Sequence, residues 1–374
     1  MKKTIYKYFF YEFTKYFTIT LFALAIIVWT IQAVNYLDLV TEDGHAFTVY
    51  FLYSMLTLSK VLTKLIPICF LAATILTIIK LEKDNELIVL WTSGLNKMNI
   101  VNLIFRISLI VMILQLLLTS LLNPMFLNLS RTLIKNSQFQ YISSLFKVRQ
   151  FNDTIESLTI FVDKKHDNKM LKNIFIQDDG KILSKASEAS STIFAESGYV
   201  SNNEKNLVLY NGSIQTLKAD DKINIIKFKK TVLNLSGIST KSVVEAKMQE
   251  TSTMDILLCI LNKNVSAHNC DSSKKSLMDQ KIEINKRFGT PFYIPLISLM
   301  CSFLLTSRRD KTIKIFTKYF YFFIGFLILL FSEIVVRYSG ISWSHSAIYY
   351  LVPALMGPIF YLILIRTFKY ENLS

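Results

Sequence analysis

Long stretches without a charged side chain are the feature that most limits what this chain can fold into. The clearest are Tyr16–Leu37, with 22 residues, and Ile107–Ser130, with 24 residues. An apolar stretch of about 18 residues or more is typical of a helix that crosses a lipid bilayer. Further apolar stretches lie at 48–79, 288–306, 318–337 and 347–365. The sequence therefore predicts six membrane spans, three before and three after a long polar segment.

The second span is interrupted by two lysines. Lys60 and Lys64 separate the apolar residues 48–59 from a clean stretch at 65–79. The clean stretch has 15 residues, which is too short to cross a bilayer alone. We therefore expect this helix to begin before Lys60, with Pro67 as a candidate position for a kink.

Lysine and arginine are distributed unevenly between the short loops on the two sides of the predicted spans. One side, which includes both termini, carries fifteen of them, and the other side carries three. Because cytoplasmic loops are enriched in Lys and Arg, this asymmetry predicts that both termini are cytoplasmic. The same topology accounts for most of the net charge of +15, so nucleic acid is not an expected partner. The predicted parts are residues 1–130 (three spans), 131–273 (an outer domain, periplasmic in a Gram-negative cell) and 274–374 (three spans).

The outer segment has the pattern of an all-β domain. Short stretches rich in β-branched and aromatic residues recur, and several alternate with period 2. Asn211-Gly212 lies between two of these stretches and is a strong signal for a two-residue hairpin. Short strands at this spacing predict a sandwich or jelly roll, with a helical return to the fourth span.

No pattern in the chain supports an enzyme active site or a metal site. The sequence contains no phosphate-binding glycine loop, no Gly-x-Ser-x-Gly motif and no His-Glu-x-x-His motif. The four cysteines form no Cys-x-x-Cys pair. Cys259 and Cys270 could form a disulfide if their segment faces an oxidising compartment. We expect no catalytic residue, no metal and no cofactor in this chain.

The loop after the second span has an amphipathic pattern. Over residues 82–94, apolar side chains that include Leu87 and Trp91 fall near one helical face, and Glu82 and Glu86 fall on another. Gly94 is placed to end the helix. Such a cytoplasmic helix either couples a permease to a separate ATPase or lies on the lipid surface. Its acidic residues favour coupling, since membrane-surface helices favour Lys and Arg.

With these features, the chain resembles the LptF/LptG family, the permeases of the lipopolysaccharide export ABC transporter. The resemblance covers essentially the whole chain, and its most specific stretch is residues 81–94. The residues that match the pattern of the family there are Asp84, Glu86, Leu87, Val89 and Gly94. Thr92-Ser93 departs from the family, which usually has Ala or Cys at that turn. The stretches at 32–40 and 65–67 look more like the LptF branch, and Glu283–Arg287 also resembles the family.

The resemblance implies a fold, a function and partners. The fold would be six transmembrane helices with a β-jelly-roll periplasmic domain inserted between the third and fourth spans. The chain would pair with an LptG-like permease, and an LptB-like ATPase dimer would bind ATP and contact the coupling helices. Lipopolysaccharide would enter between the first and fifth spans of the partners. It would then pass to LptC-like and LptA-like periplasmic proteins.

Two pairs of charged residues become candidate site residues. Lys60 and Lys64 lie one turn apart near the outer end of a span, where they would either contact lipid phosphates or extend into the head-group region as anchors. Glu333 and Arg337 are also one turn apart and are either a functional site or a mutually neutralising ion pair.

The function predicted from the sequence is therefore that of an inner-membrane permease subunit for lipopolysaccharide. Two rival functions remain. One is the permease of another envelope lipid or lipoprotein exporter, and the other is a non-transporting membrane scaffold with a periplasmic β domain. A coupling helix argues against the scaffold, which would not need one.

Overall fold

The structure is a computed structural model of the 374-residue chain. The residues it describes are 2–41, 45–137, 148–155, 158–165, 170–179, 190–201, 206–217, 223–234, 247–261, 274–306 and 311–371.

The N-terminal part is helical. Its helices are α1 (Lys2–Asn35), α2 (Asp38–Thr41), α3 (Phe47–Lys83), α4 (Glu86–Thr92), α5 (Lys97–Leu117) and α6 (Asn123–Ser137), with a π-helical turn at Leu118–Leu122 between the last two. As expected, α3 begins well before Lys60 and continues through both lysines.

The C-terminal part is also helical. Its helices are α7 (Thr253–Ile260), α8 (Lys274–Gly289), α9 (Tyr293–Ser302), α10 (Lys311–Tyr338) and α11 (Trp343–Glu371), with 3-10 turns at Met248–Glu250, Thr290–Phe292 and Phe303–Leu305. Six helical stretches of the described chain are long and apolar enough to cross a membrane. This confirms the six predicted spans. The helices extend beyond the uncharged stretches because a helix continues through the flanking lysines, as α1 does from Lys2.

Between the third and fourth spans lies an antiparallel sheet. Its strands are β1 (Asn152–Ile155), β2 (Leu158–Lys165), β3 (Met170–Asp178), β4 (Ser191–Val200), β5 (Asn206–Leu217) and β6 (Ile223–Asn234), paired in the order of the sequence. The predicted all-β domain and its position in the chain are thus confirmed. The jelly-roll arrangement stays a prediction, because the described strands form one sheet.

The predicted hairpin at Asn211-Gly212 is wrong. Both residues lie inside β5, which pairs with β4 and β6 on either side of them. Asn211 adopts a left-handed φ of 47° without ending the strand. A Cβ at Gly212 would overlap the Phe194 carbonyl oxygen and the Phe228 ring. The glycine therefore permits close packing within the sheet and does not form a turn.

The contacts divide the chain into two compact units. The membrane unit comprises residues 1–30, 57–128 and 247–374, and the second unit comprises residues 31–56 and 129–246. The core of the membrane unit is formed by apolar side chains of α3, α5 and α9, including Phe70, Ile104 and Ile297. Helix α9 is the most enclosed of these, since nine of its ten residues are buried.

Candidate functional site

The predicted coupling helix is shorter than expected. Instead of spanning residues 82–94, α4 has seven residues, Glu86–Thr92, and α3 extends to Lys83 before it. Asn85 has a left-handed φ of 60° and separates the two helices, so Asp84 lies in the turn. Gly94 has a φ of +79°, a conformation that glycine adopts without strain, and it follows the end of the helix as predicted.

Helix α4 has a buried face and an exposed apolar face. Leu87 is buried, and Leu90 and Trp91 pack against the core of the membrane unit, as the pattern predicted. On the opposite side, Ile88 is 59% exposed and Val89 is 63% exposed. A helix that is anchored by one apolar face and exposes another has a surface suited to a further partner or to lipid.

Side chains of neighbouring helices hold α4 and the end of α3 in place. The Tyr8 hydroxyl of α1 donates a hydrogen bond of 2.9 Å to Glu86 Oε1. Lys318 Nζ of α10 lies 2.8 Å from Glu82 Oε2. A cavity of about 320 Å³ lies beside these contacts, between α4, the 3-10 turn that follows α9, and α10. Three spans thus converge on the short helix.

Lys97, at the start of α5, supports the other end of the loop. Its ammonium lies over the Trp91 ring at 5.7 Å and over the Phe368 ring of α11 at 5.6 Å. Asn96 caps α5 by accepting a hydrogen bond from the Met98 backbone amide. These contacts connect α4 to α5 and α11.

A second cavity of the membrane unit, of about 340 Å³, contains the predicted lysines. Lys60 and Lys64 line it together with α8 residues that the sequence did not assign and with Glu333 of α10. Its apolar lining residues are Leu65, Pro67, Ile68, Phe326, Leu329 and Leu330. The cavity therefore combines cationic and apolar surface.

The cavity lies far from α4. Lys60 is 23 positions before Lys83, and at 1.5 Å per residue this is about 35 Å along the α3 axis. The hydrocarbon core of a bilayer is about 30 Å thick. A single helix thus joins the end of the unit that carries α4 to the cavity across roughly one membrane thickness.

Arg287 of α8 is locked in place at the edge of this cavity. It is only 3% exposed, and its Nε lies 2.9 Å from Glu283 Oε1. Its terminal nitrogens donate to the Thr253 hydroxyl and to three backbone carbonyls between residues 248 and 251. Removing one partner of a buried pair costs about 3–5 kcal/mol, because the other charge is left buried. Arg287 is therefore structural: it fixes the segment before α7 to α8.

Lys286, the adjacent residue, has a different environment. Its Nζ lies 2.9 Å from Glu333 Oε1 of α10, and the two side chains are 29% and 48% exposed. This corrects the predicted Glu333–Arg337 pair. Glu333 is neutralised from a neighbouring helix, and Arg337 is exposed one turn further along α10. An exposed pair contributes only about 0–1 kcal/mol, so the Lys286–Glu333 contact is easily exchanged.

The π-helical turn also shapes the cavity. Thr119, within it, donates to the Arg287 carbonyl at 2.9 Å, and Asn123, directly after it, accepts from Ser59 at 3.1 Å. Gln115, one turn earlier, is 1% exposed and donates to the Thr63 carbonyl. Its side-chain oxygen has no hydrogen-bond partner among the described residues. Such turns are frequent at functional sites in helices.

The structure thus places the predicted residues in two separate groups. Asp84, Glu86, Leu87, Val89 and Gly94 lie in or beside α4, whereas Lys60, Lys64 and Glu333 line the second cavity. Sequence reasoning missed Lys286, Gln115 and Thr119. In the sequence, residues 283–287 show only a resemblance to the family, and the i,i+3 and i,i+4 spacing of Glu283, Lys286 and Arg287 is the signal that could have identified them.

The disulfide prediction is tested only in part. Cys69 and Cys301 are buried free thiols, and Cys259 is disulfide-bonded. Cys270, its predicted partner, lies outside the described residues. Within the described ranges, no group of three His, Cys, Asp or Glu side chains could hold a metal ion.

Comparison with known proteins agrees with this architecture. The chain is 28% identical over 239 residues to the uncharacterized protein RP871 of Rickettsia prowazekii (strain Madrid E), a match that covers 63% of this chain and 64% of the relative. The chain thus spans slightly less than two thirds of the length of that relative. The family model described as "Lipopolysaccharide export system permease LptF/LptG" matches residues 7–367. Because this match includes both membrane halves and the inserted sheet, the chain belongs to the LptF/LptG family.

Proposed function

We propose that this chain is the LptF-like permease subunit of an ABC transporter that extracts lipopolysaccharide from the inner membrane. It works beside an LptG-like permease, and an LptB-like ATPase dimer supplies the ATP hydrolysis. Both termini are cytoplasmic, and the β domain is periplasmic, where it passes the lipid to LptC-like and LptA-like proteins. Family membership supports this proposal, and the uneven distribution of Lys and Arg between the short loops supports the orientation.

The observation that carries the proposal is the arrangement within the membrane unit. An anchored helix with exposed Ile88 and Val89 lies at one end of α3, and a cavity with Lys60 and Lys64 lies about 35 Å away along the same helix. A transporter needs both parts, since force must enter on the ATPase side and act on substrate on the other side. A scaffold would need neither.

In this function α4 is the ATPase-docking helix. Val89 and Ile88 insert into a groove of the ATPase, and Glu86 and Asp84 provide charge at its edge. Tyr8, Trp91 and Lys97 connect α4 to α1, α5 and α11, so that a displacement of α4 reaches several spans. Lys60 and Lys64 bind the phosphates of the lipid anchor as point charges.

Val89→Asp tests the docking role. An unpaired carboxylate buried in an interface costs several kcal/mol, so we expect co-purification of the ATPase to fall at least about tenfold. Because Val89 is exposed, the variant should still insert into the membrane. Val232→Asp is the matched control, since Val232 is a 52% exposed valine of β6.

Two further variants separate charge from positioning. Glu86→Lys reverses the charge at the expected docking edge and should also weaken ATPase association. Glu86→Gln keeps an acceptor for the Tyr8 hydroxyl but removes the charge. Unchanged ATPase co-purification with Val89→Asp and Glu86→Lys would contradict the docking role and would favour a lipid-surface helix.

A further inference from the structure

The second cavity contains cations in three different states. Arg287 is fully engaged by Glu283, Thr253 and backbone carbonyls. Within the described parts of the chain, no carboxylate lies within ion-pair distance of Lys60 or Lys64. Lys286 is intermediate, because it has one carboxylate partner and that partner is half-exposed. Of the charged groups that line the cavity, only Lys286 has a half-exposed counterion that it can exchange for another.

The lining also defines the chemistry of a ligand. Lys60, Lys64 and Lys286 line the same cavity as Glu333, and the remaining lining includes Leu65, Pro67, Phe326 and Leu329. A small hydrophilic anion would leave this apolar wall unused. An amphiphile with a phosphorylated head and an apolar body matches both surfaces.

We propose that Glu333 occupies the place of the ligand phosphate in the empty cavity. It neutralises Lys286 until a phosphorylated lipid head group binds, and the phosphate then displaces Glu333. Lys286 thereby becomes a third phosphate contact beside Lys60 and Lys64. The inference rests on the proposed function and extends it to a residue on another helix.

The exchange has a mechanical consequence. The Lys286–Glu333 pair joins α8 to α10. When the phosphate pairs with Lys286 in place of Glu333, that connection is lost. The Arg287 contacts still keep α8 fixed to the segment before α7. Binding of the head group therefore removes a polar contact of α10 and leaves the contacts of Arg287 intact.

Affinity measurements provide the first test. The full chain, assembled with its partner subunits in lipid nanodiscs, is titrated with lipid A carrying two phosphates and with the same lipid after removal of its phosphates. We expect Glu333→Gln to bind the phosphorylated lipid more tightly, by up to about fivefold, which is the range of an exposed ion pair. We expect Lys286→Gln to bind it more weakly, and neither variant should alter binding of the dephosphorylated lipid. Weaker binding by Glu333→Gln would identify the pair as a fixed clamp and overturn the inference.

Removing any negative charge near the cavity favours binding of an anion, so tighter binding alone does not show that Glu333 and the phosphate exchange. A double-mutant cycle therefore provides the second test. Thermal unfolding of the original protein, Glu333→Gln, Lys286→Gln and the double variant gives the coupling between the two residues. We expect this coupling in the empty protein and with dephosphorylated lipid, and its loss with the phosphorylated lipid. Coupling that persists with the phosphorylated lipid would overturn the exchange.

Additional measurements distinguish a failure of this inference from a failure of the proposed function. If the original protein shows no preference for phosphorylated lipid and Lys60→Gln with Lys64→Gln has no effect, the proposed phosphate role fails, and the inference fails with it. If the original protein prefers phosphorylated lipid and Lys60→Gln with Lys64→Gln weakens that binding, but the Glu333 results fail, the inference alone is wrong. Phosphatidylglycerol is the competing source of a lipid phosphate, and equally tight binding of it would contradict a cavity for lipopolysaccharide.

Discussion

Helices α9 and α11 are both apolar, but they have opposite surroundings. Nine of the ten residues of α9 are buried, whereas only 11% of the most apolar window of α11 is buried. Helices α1 and α10 resemble α11, with 11% and 17% buried. Because lipid is as apolar as leucine, composition alone does not separate a span that packs within the unit from one that faces lipid or a second subunit. The difference shows that the unit has an inner set of spans around α9 and an outer set that exposes apolar surface.

The largest expected contrast concerns the adjacent cations of α8. Arg287→Met should lower the free energy of unfolding by about 3–5 kcal/mol, because Glu283 is left with an unpaired charge in a buried position. Lys286→Met should change it by about 0–1 kcal/mol, since its pair is exposed. Thermal unfolding of the purified full chain in detergent measures both. Equal losses of unfolding free energy in the two variants would show that Arg287 and Lys286 are buried to a similar degree.

Two glycines give an intermediate contrast. A Cβ at Gly289, at the end of α8, would overlap the Tyr349 ring, whereas a Cβ at Gly357 of α11 meets nothing within 4 Å. Gly289→Ala should therefore destabilise the chain by about 1–3 kcal/mol, as overpacking does. Gly357→Ala should be neutral or slightly stabilising, since alanine favours helix. Thermal unfolding checks both variants. A loss of stability with Gly357→Ala would show that α11 makes a close contact at this position.

The smallest expected contrast concerns two phenol groups. Tyr293 is fully buried and donates to the Tyr349 carbonyl at 3.0 Å, so Tyr293→Phe should cost about 1 kcal/mol. Tyr8 is 40% exposed, and Tyr8→Phe should change stability by less than about 0.5 kcal/mol. A larger stability loss at Tyr8 would mean that the Glu86 contact supports the fold as well as positioning α4.

Hydropathy over about 20 residues predicted the six spans, because the bilayer imposes that length on any sequence. The charge pairs depended on which helices pack together, and no local pattern contains that information. Glu333 was therefore assigned to Arg337 on its own helix, whereas its partner is Lys286 on α8.

The local signal of the Asn211-Gly212 dipeptide also failed, because the same dipeptide can occur in a hairpin turn or within a strand. Asn-Gly indicates a hairpin because both residues accept left-handed backbone angles. In β5 only Asn211 uses that freedom, and Gly212 is required for its missing side chain. Likewise, Gly94 correctly marked the end of α4, but nothing in the sequence showed that Asn85 would delay its start.

The π-helical turn at Leu118–Leu122 also limits how this chain can vary in length. A π turn holds one more residue than regular α-helix would need over the same path. Deleting one residue there would therefore restore regular helix over the same path, and the residues after it would keep their orientation. Asn123 would still face Ser59, because only the bulge is lost. A single-residue deletion at Leu118–Leu122 should therefore be tolerated better than one in the regular helix α5, where it rotates everything that follows by about 100°, and a deletion library scored for growth would show that asymmetry.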